Sequence, residues 1–284
     1  MRIAVIQRLE GYLGLKPYGS KGNSDEDAAE DPEDVDESAI PFEPFKDLCK
    51  RKFLWYFDSY LAAIERGKSE VKENQIFASM PFEHGGNNAM NGHFHYPSLE
   101  KRLRNIKAAL DRETQDWAQE GIRAMKEETT VAANLKHQFE QVASHLKERS
   151  MPHDVTLEDG NPFVWVITYF GRPMTNLDGG LFRIKMSFSP RFPDEQPRVK
   201  CETRIFHHLI APDGTVCYTP RPDKKEDIRS HVDAVMTALE DDDPAYDPRK
   251  LVNPEASQLF WNSGKEGKKL YNRRLRRSVQ QSME

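Results

Sequence analysis

The chain has 284 residues, of which 37% are hydrophobic and 31% are charged, with a mean hydropathy of −0.77 and a formal net charge of −5. This length suits one large domain, or one compact domain with a substantial extension, and we expect the second arrangement. The negative net charge gives no whole-chain argument for nucleic acid, and no stretch approaches the roughly 20 apolar residues of a membrane span. We therefore expect neither nucleic acid nor a membrane among the partners.

The cysteines and the first residues indicate the compartment. Cys49, Cys201 and Cys217 are widely spaced and odd in number, so they form neither a disulfide framework nor a C-x-x-C metal signature. Charged residues interrupt the apolar N-terminal stretch, which also lacks the cleavage site of a secretion signal. A cytoplasmic or nuclear, reducing location is expected.

Residues 24–38, SDEDAAEDPEDVDES, are dominated by acidic side chains and contain no Lys or Arg. Charge repulsion and the scarcity of apolar residues predict a disordered linker, so residues 1–39 are expected to form an N-terminal segment followed by this linker. A partner-binding acidic tail is the alternative. A linker and helices ahead of a compact domain would also suit the C-terminal end of a longer polypeptide.

Three amphipathic helices are predicted between residues 40 and 150. Apolar residues at three- and four-residue steps mark the first helix from Phe45 to Ile64, and Gly67 would end it. The second begins at Ser98, a good N-cap, and the third runs from about Val131. We expect residues 40–130 to form a helical extension that leads into a domain at residues 131–284.

The loop before the second helix contains His84, His93 and His95, which raises the question of a zinc site. These histidines have no cysteine companions and do not follow the i, i+4 spacing of ligands on a helix. No metal and no other cofactor is therefore expected.

The hydrophobic period changes at about residue 163. The segments FVWVITYF and GGLFRIKMSF are rich in aromatic and β-branched residues, are separated by turn-forming residues, and are followed by a further strand in PRVKCETRIF. After an irregular stretch, apolar residues from Ile228 to Leu239 predict a helix, and residues 251–279 predict one or two more. This order predicts an α+β domain whose helices are segregated from an antiparallel sheet.

The irregular stretch, FHHLIAPDGTVCYTP at residues 206–220, contains Cys217. Asp213 and Gly214 signal a turn, so this cysteine follows a tight bend. A nucleophile that meets a large partner would be exposed there, because burial in apolar surroundings raises the pKa of a thiol. A structural cysteine is the alternative, since free cysteines are commonly buried as small hydrophobes.

Residues from about 131 to 280 resemble the catalytic domain of the ubiquitin-conjugating enzymes (E2). The resemblance rests on a tryptophan-bearing strand, a Gly-Gly-x-Phe strand, a Phe-Pro loop and the sequence PDGTVC, in the family's order. His207 and Cys217 are ten residues apart, the family's usual interval between its signature histidine and its nucleophile. The resemblance implies a four-stranded antiparallel meander between an N-terminal helix and C-terminal helices.

The resemblance also implies a function. An activating enzyme (E1) would pass ubiquitin or a ubiquitin-like protein to Cys217 as a thioester, which then gives it to a lysine or to a ligase (E3). Asp247 best matches the acid that faces the incoming lysine, with Asp241, Asp242 and Asp243 as alternatives. A catalytically inactive variant that only binds ubiquitin or a partner protein is the competing interpretation.

Two departures from the family pattern bear on activity. His207, His208 and Leu209 stand where the family reads His-Pro-Asn, and a leucine side chain cannot donate a hydrogen bond. Unless His208 donates instead, losing such a donor costs about 10² to 10³ in rate. His207 is expected to tie the loop together as a structural residue.

The second departure lies in the loop that the resemblance assigns to ligase binding, Phe192, Pro193 and Asp194. Asp194 is an acid where many members of the family carry an apolar residue. We therefore expect common ligases to bind this loop poorly, or the ligase partner to be unusual.

Overall fold

The computed structural model describes residues 3–15, 43, 45–72, 75–76, 93–151, 153–241 and 245–283. Within these ranges the helices are α1 (Ile3–Tyr12), α2 (Lys46–Glu70), α3 (Tyr96–Lys126), α4 (Thr130–Glu148), α5 (Ile228–Glu240), α6 (Pro254–Ser257) and α7 (Gly264–Gln281). The strands are β1 (His153–Leu157), β2 (Val164–Phe170), β3 (Leu181–Ser187) and β4 (Arg198–Cys201). None of the helices in these ranges combines the length and apolar character needed to cross a bilayer. The predicted linker at 24–38 and His84 lie outside the described residues.

The four strands form one antiparallel meander in the order β1-β2-β3-β4. Period-two alternation places Trp165, Ile167 and Tyr169 of β2 in the main hydrophobic core, where helix α4 closes over them. The ring of Phe139 on α4 meets Trp165 edge to face, with 5.3 Å between the ring centroids. The helices and the antiparallel sheet confirm the predicted α+β fold with an N-terminal helical extension.

Two helix ends differ from the sequence expectation. Helix α2 continues past Gly67, which is buried inside it because the ring of Tyr96 packs against the helix: a Cβ at Gly67 would lie 2.4 Å from a ring carbon of Tyr96. Helix α3 begins at Tyr96, and its N-cap is His95, whose Nδ1 accepts a hydrogen bond from the N–H of Ser98 at 3.2 Å. The glycine therefore serves close packing, and the serine lies in the first turn of its helix.

A second hydrophobic cluster, the N-terminal cluster, joins α1, α2 and α3. It is flanked by a buried ion pair in which Nε and Nη2 of Arg102 donate to the two carboxylate oxygens of Glu10, at 2.8 and 2.7 Å. Helix α3 belongs to both cores, because its residue Ala124 packs into the main one. The predicted boundaries after residues 39 and 130 stay predictions. The N-terminal cluster consists of Ile6, Leu9, Phe53, Leu54, Ile64, Leu103, Ile106 and Leu110.

Helices α2 and α3 are fastened to the edge of the sheet. The guanidinium of Arg198 on β4 donates to the carboxylate of Asp47 on α2 at 2.7 Å and lies over the ring of Trp117 on α3, 5.1 Å from its centroid. Lys107 on α3 forms an ion pair with Asp213 at 2.8 Å. A cavity of about 370 Å³ remains between these helices and strands β3 and β4. The extension is thus anchored to the segment that leads to Cys217.

Candidate active site around Cys217

Cys217 ends a short hairpin that backbone hydrogen bonds hold in place. Ile210 and Val216 form a bridge across the hairpin, and the N–H of Cys217 donates to the carbonyl of Leu209 at 2.8 Å. The turn needs Gly214, which has φ +89 and approaches so closely that a Cβ would lie 2.3 Å from the carbonyl oxygen of Cys201. The tight bend expected from Asp213 and Gly214 is present, and it fixes the backbone of the cysteine.

The side chain of Cys217 is not exposed as expected for a nucleophile: it is only 3% accessible and packs with Trp55, Ala211 and Val252. Burial raises the pKa of the thiol to about 11, although the charges of Lys52 and Lys250 oppose this rise. Of the two alternatives left open by the sequence, the burial is typical of a structural cysteine, and the role of Cys217 as a nucleophile stays a prediction. The residue that covers the thiol, Trp55, comes from helix α2, 162 positions earlier in the sequence.

A cleft of about 500 Å³ opens on another side of Cys217. Its wall includes Tyr218 and Thr219 after the cysteine, and Lys250 and Trp261 from the C-terminal part of the chain. The hydroxyl of Tyr218 shares a hydrogen bond of 3.0 Å with Nδ1 of His231 on α5, so the strand-like segment after the cysteine is fixed as well. The cleft is a concave site with Cys217 among the residues of its wall.

His207 and His208 are both buried, and their rings stack with 4.3 Å between centroids. Nδ1 of His207 accepts a hydrogen bond from the N–H of Leu209 at 3.1 Å, which ties the loop together. Nδ1 of His208 shares a hydrogen bond of 2.9 Å with the hydroxyl of Tyr271, and its Nε2 has no hydrogen-bond partner among the described residues. Burial lowers the pKa of His207 to about 4 and that of His208 to about 2. Both rings are therefore neutral at physiological pH.

Leu209 is buried and contributes its backbone to this arrangement: its N–H donates to His207 and its carbonyl accepts from Cys217. Its side chain brings no hydrogen-bond donor to the cleft that it helps to line. The charged groups acting on the thiol are Lys52 and Lys250, together with Asp247. Two cations from other parts of the chain thus act on the thiol, and one of them, Lys250, lines the same cleft as Leu209.

Asp247 begins a short 3₁₀ turn, Pro248–Lys250. Its carboxylate accepts hydrogen bonds from the side chain of Arg249 at 2.9 and 3.1 Å and from the N–H of the same residue at 2.9 Å. These contacts with Arg249 lower the pKa of Asp247 to about 2, so the group is ionised at neutral pH. The predicted acid is thus already paired with a cation. Of the alternatives, Asp241 is exposed and lines the cleft, whereas Asp242 and Asp243 lie outside the described residues.

The predicted ligase loop presents fewer side chains than expected. Phe192 is only 3% accessible, and its ring meets Phe188 edge to face at 5.5 Å, so it belongs to the core. The carbonyl of Pro193 accepts a hydrogen bond from Gln196 at 2.6 Å, and Asp194 is exposed. Of the three residues predicted to contact a ligase, Phe192 is therefore buried and Asp194 is exposed, and the ligase contact stays a prediction.

Two aromatic residues near the thiol, Trp55 and Trp261, were not predicted from the sequence as part of the site. Trp55 lies within the apolar pattern of a helix, and that pattern says nothing about which distant residue the ring will cover. Trp261 follows α6 in a π-helical turn, and its ring meets His208 nearly at a right angle, 5.1 Å between centroids. Only the tertiary fold brings these residues to Cys217 and the histidine pair.

Among the described residues, no group of three or more His, Cys, Asp or Glu side chains could hold a metal ion. Of the three histidines in the loop before α3, His95 caps that helix.

Comparisons with known proteins point to one family. The sequence profile of the family described as "Ubiquitin-conjugating enzyme" matches residues 134–268, which include Cys217 and both histidines. The chain is 33% identical over 125 residues to "Ubiquitin-conjugating enzyme E2 3" of Arabidopsis thaliana, covering 44% of this chain and 80% of that protein. It is 38% identical over 66 residues to "Ubiquitin-conjugating enzyme E2 7" of Triticum aestivum, covering 23% of this chain and 39% of the wheat protein.

Among solved structures, a chain from Plasmodium yoelii that is provisionally assigned as a ubiquitin conjugating enzyme is similar to this fold. It has a TM-score of 0.43 and 19% identity, with 54% of this chain and 95% of that chain covered. The family is shown by the identity to the Arabidopsis enzyme, which extends over most of that protein. This chain belongs to the ubiquitin-conjugating enzyme family.

Proposed function

We propose that this protein carries ubiquitin or a ubiquitin-like protein as a thioester on Cys217 and passes it to a lysine or to a ligase. The observation that supports this proposal best is the position of the thiol. It lies on a hairpin fixed by backbone hydrogen bonds, at the wall of a cleft of about 500 Å³, inside the region that matches the family. A reducing compartment, the cytoplasm or nucleus, suits three cysteines that are all free thiols.

The proposed reaction has two steps. The Cys217 sulfur, as thiolate, forms a bond to the carbonyl carbon at the C-terminus of the modifier. The bond from that carbon to the sulfur of the activating enzyme breaks, and the departing thiolate takes up the proton that Cys217 lost. In the second step a lysine nitrogen forms an amide with the carbonyl carbon, the bond to the Cys217 sulfur breaks, and the proton released by the amine returns to that sulfur.

Each step passes through a tetrahedral intermediate with a negative oxygen, which hydrogen-bond donors or cations must stabilise. Leu209 offers no side-chain donor, so Lys250, which lines the cleft together with Cys217 and whose charge acts on the thiol, is the group proposed for this task. Asp247 would receive the incoming lysine after exchanging its partner Arg249.

The competing function is a catalytically inactive variant that binds ubiquitin or a partner protein. The burial of Cys217, the rise of its pKa to about 11 and the leucine at position 209 favour this alternative. It predicts that partner binding does not depend on the thiol.

A thioester assay separates the two functions. The protein is incubated with activating enzyme, ATP and each of a panel of ubiquitin-like modifiers, and the products are run on a non-reducing gel. A carrier gives a thiol-sensitive adduct that Cys217→Ala abolishes, that Cys217→Ser converts to a thiol-resistant ester, and that Cys49→Ala retains. If no modifier in the panel gives an adduct, either with the natural protein or with Trp55→Ala, which removes the indole that packs on the thiol, the carrier function is wrong and the binding function remains.

A further inference from the structure

Helix α2 lies directly over the proposed nucleophile. The indole ring of Trp55 is itself buried and forms one compact apolar group with Cys217, Ala211 and Val252. These last three residues come from the region that matches the ubiquitin-conjugating family, whereas Trp55 comes from the helical extension. The extension therefore supplies part of the immediate surroundings of the thiol.

Contacts along three turns of α2 hold the helix in this position. Near its start, Asp47 forms a buried ion pair with Arg198 on β4 at 2.7 Å. Just after Trp55, the hydroxyl of Tyr56 donates to the carbonyl of Arg249, and the hydroxyl of Ser59 donates to the carbonyl of Leu251. Every one of these contacts is made with the part of the chain that surrounds the cleft or the sheet edge. The helix is thus docked by specific polar contacts and not only by apolar packing.

A covered sulfur is a poor acceptor for a protein cargo. The modifier's C-terminus enters with a folded protein behind it, and the attacking sulfur, the carbonyl carbon and the leaving sulfur must then lie close together. The cleft borders Cys217 on one side, but Trp55 packs against the same residue from helix α2. Burial also favours the neutral thiol over the reactive thiolate.

From this geometry we infer that helix α2 is an autoinhibitory cover: Trp55 shields Cys217, and the thiol accepts its cargo only after the helix moves aside. The inference rests on the proposed carrier function for its biological meaning, but the shielding itself can be measured without any modifier. A partner that competes for the backbone carbonyls of Arg249 and Leu251, or that separates Asp47 from Arg198, would activate the enzyme.

The test is the rate at which iodoacetamide alkylates each cysteine of the full-length protein at pH 8, resolved by peptide mass spectrometry. Trp55→Ala removes the cover, and Trp55→Phe keeps an apolar ring in place. Cys201, buried in the main core, is the internal reference, because its rate rises only if the whole protein loosens.

The expected change follows from the thiolate population. A pKa of about 11 leaves about one thiol in 1,000 ionised at pH 8, whereas an ordinary thiol with a pKa of about 8.5 is about one quarter ionised. A thiolate of lower pKa is also intrinsically less nucleophilic, which reduces the rate increase expected from the larger ionised fraction about tenfold. We expect Trp55→Ala to raise the rate at Cys217 by about 20-fold or more, with Cys201 unchanged and Trp55→Phe within about threefold of the natural protein.

If the alkylation rate of Cys217 in folded Trp55→Ala stays within about twofold of its rate in the natural protein, the inference that Trp55 shields the thiol is wrong. If circular dichroism shows that this variant does not fold, the double variant Tyr56→Phe, Ser59→Ala replaces it, since it removes two fastenings and keeps the ring. An unchanged rate in that folded variant would equally overturn the inference.

The thioester assay on the same proteins separates this inference from the proposed function. Faster adduct formation by Trp55→Ala supports both. If Trp55→Ala is alkylated faster but forms no adduct with any modifier, the shielding of Cys217 by Trp55 is supported and the carrier function is refuted. Equal adduct rates in Trp55→Ala and the natural protein refute the autoinhibitory role of the helix while the carrier function stands.

Discussion

Replacing the buried His208 with phenylalanine should reduce the acid sensitivity of the fold. In the folded protein, burial holds the pKa of His207 at about 4 and that of His208 at about 2, against an ordinary histidine value of about 6.5 in the unfolded chain. As the pH falls, the two histidines therefore bind protons in the unfolded chain but stay neutral in the folded protein. The stability associated with these rings is fully present above pH 6.5 and is lost as the pH falls toward their folded pKa values.

The magnitude follows from linkage. Between pH 7.5 and pH 5, an unfolded histidine goes from mostly neutral to almost fully protonated, and each folded ring stays neutral over the same range. Each ring then costs about 2 kcal/mol of unfolding free energy over this interval, or about 4 kcal/mol for the pair. His153 and His231, whose pKa values burial also lowers, add a background that every variant shares.

The assay is urea unfolding, followed by circular dichroism, at half-unit steps from pH 7.5 to pH 5. Phenylalanine keeps a ring stacked against Phe260 but cannot take up a proton, so His208→Phe should lose about 2 kcal/mol less than the natural protein over this range. His137→Gln, which removes an exposed histidine of α4, is the matched control and should leave the pH dependence in place. Equal pH dependence in His208→Phe and the natural protein would refute a neutral, buried His208, whatever the absolute stability of the variant.

Two further predictions concern the support of the thiol. Gly214→Ala should lower the free energy of unfolding by about 2 kcal/mol or more, because the turn has a positive φ and the new Cβ would meet the carbonyl of Cys201; a loss below about 0.5 kcal/mol in urea unfolding would contradict the tight turn. Asp47→Asn should cost about 3 kcal/mol in the same assay, because it leaves the buried guanidinium of Arg198 without its carboxylate. The conservative variant Asp47→Glu should restore most of that loss, and equal losses from both variants would argue against the ion pair as the cause.

Long periodic segments of this chain could be predicted from the sequence, because their signal is local. The apolar stripes of α2, α3, α4 and α5 and the β-branched, aromatic segments of β2 and β3 specify their own secondary structure. Strand β1 gave no such signal: it is five residues long, and its Val155 reaches the core only by pairing with Ile167. Helix α1 was not predicted, because charged residues interrupt its apolar pattern. Glu10 can be buried only because it pairs with Arg102, which lies 92 positions away in the sequence.

The candidate site was predictable in the same limited sense. The turn at Asp213 and Gly214 and the position of Cys217 follow from a short motif and from the family resemblance. The cover by Trp55 and the pairing of Asp247 with Arg249 do not, because one depends on a contact between distant segments and the other on a local turn conformation. The burial of a single side chain depends on contacts across the whole fold, so it cannot be predicted from a short segment of the sequence.

The way helix α2 is fastened has a consequence for how this protein tolerates mutation. The hydroxyls of Tyr56 and Ser59 donate to carbonyl groups of the main chain at Arg249 and Leu251, and a main-chain carbonyl is present whatever side chain stands there. Positions 249 and 251 can therefore change without breaking these two hydrogen bonds, whereas Tyr56 and Ser59 cannot. The side chains that specify these two hydrogen bonds belong to the helix alone, so another chain that places a tyrosine and a serine three residues apart on a helix matches the same two acceptors.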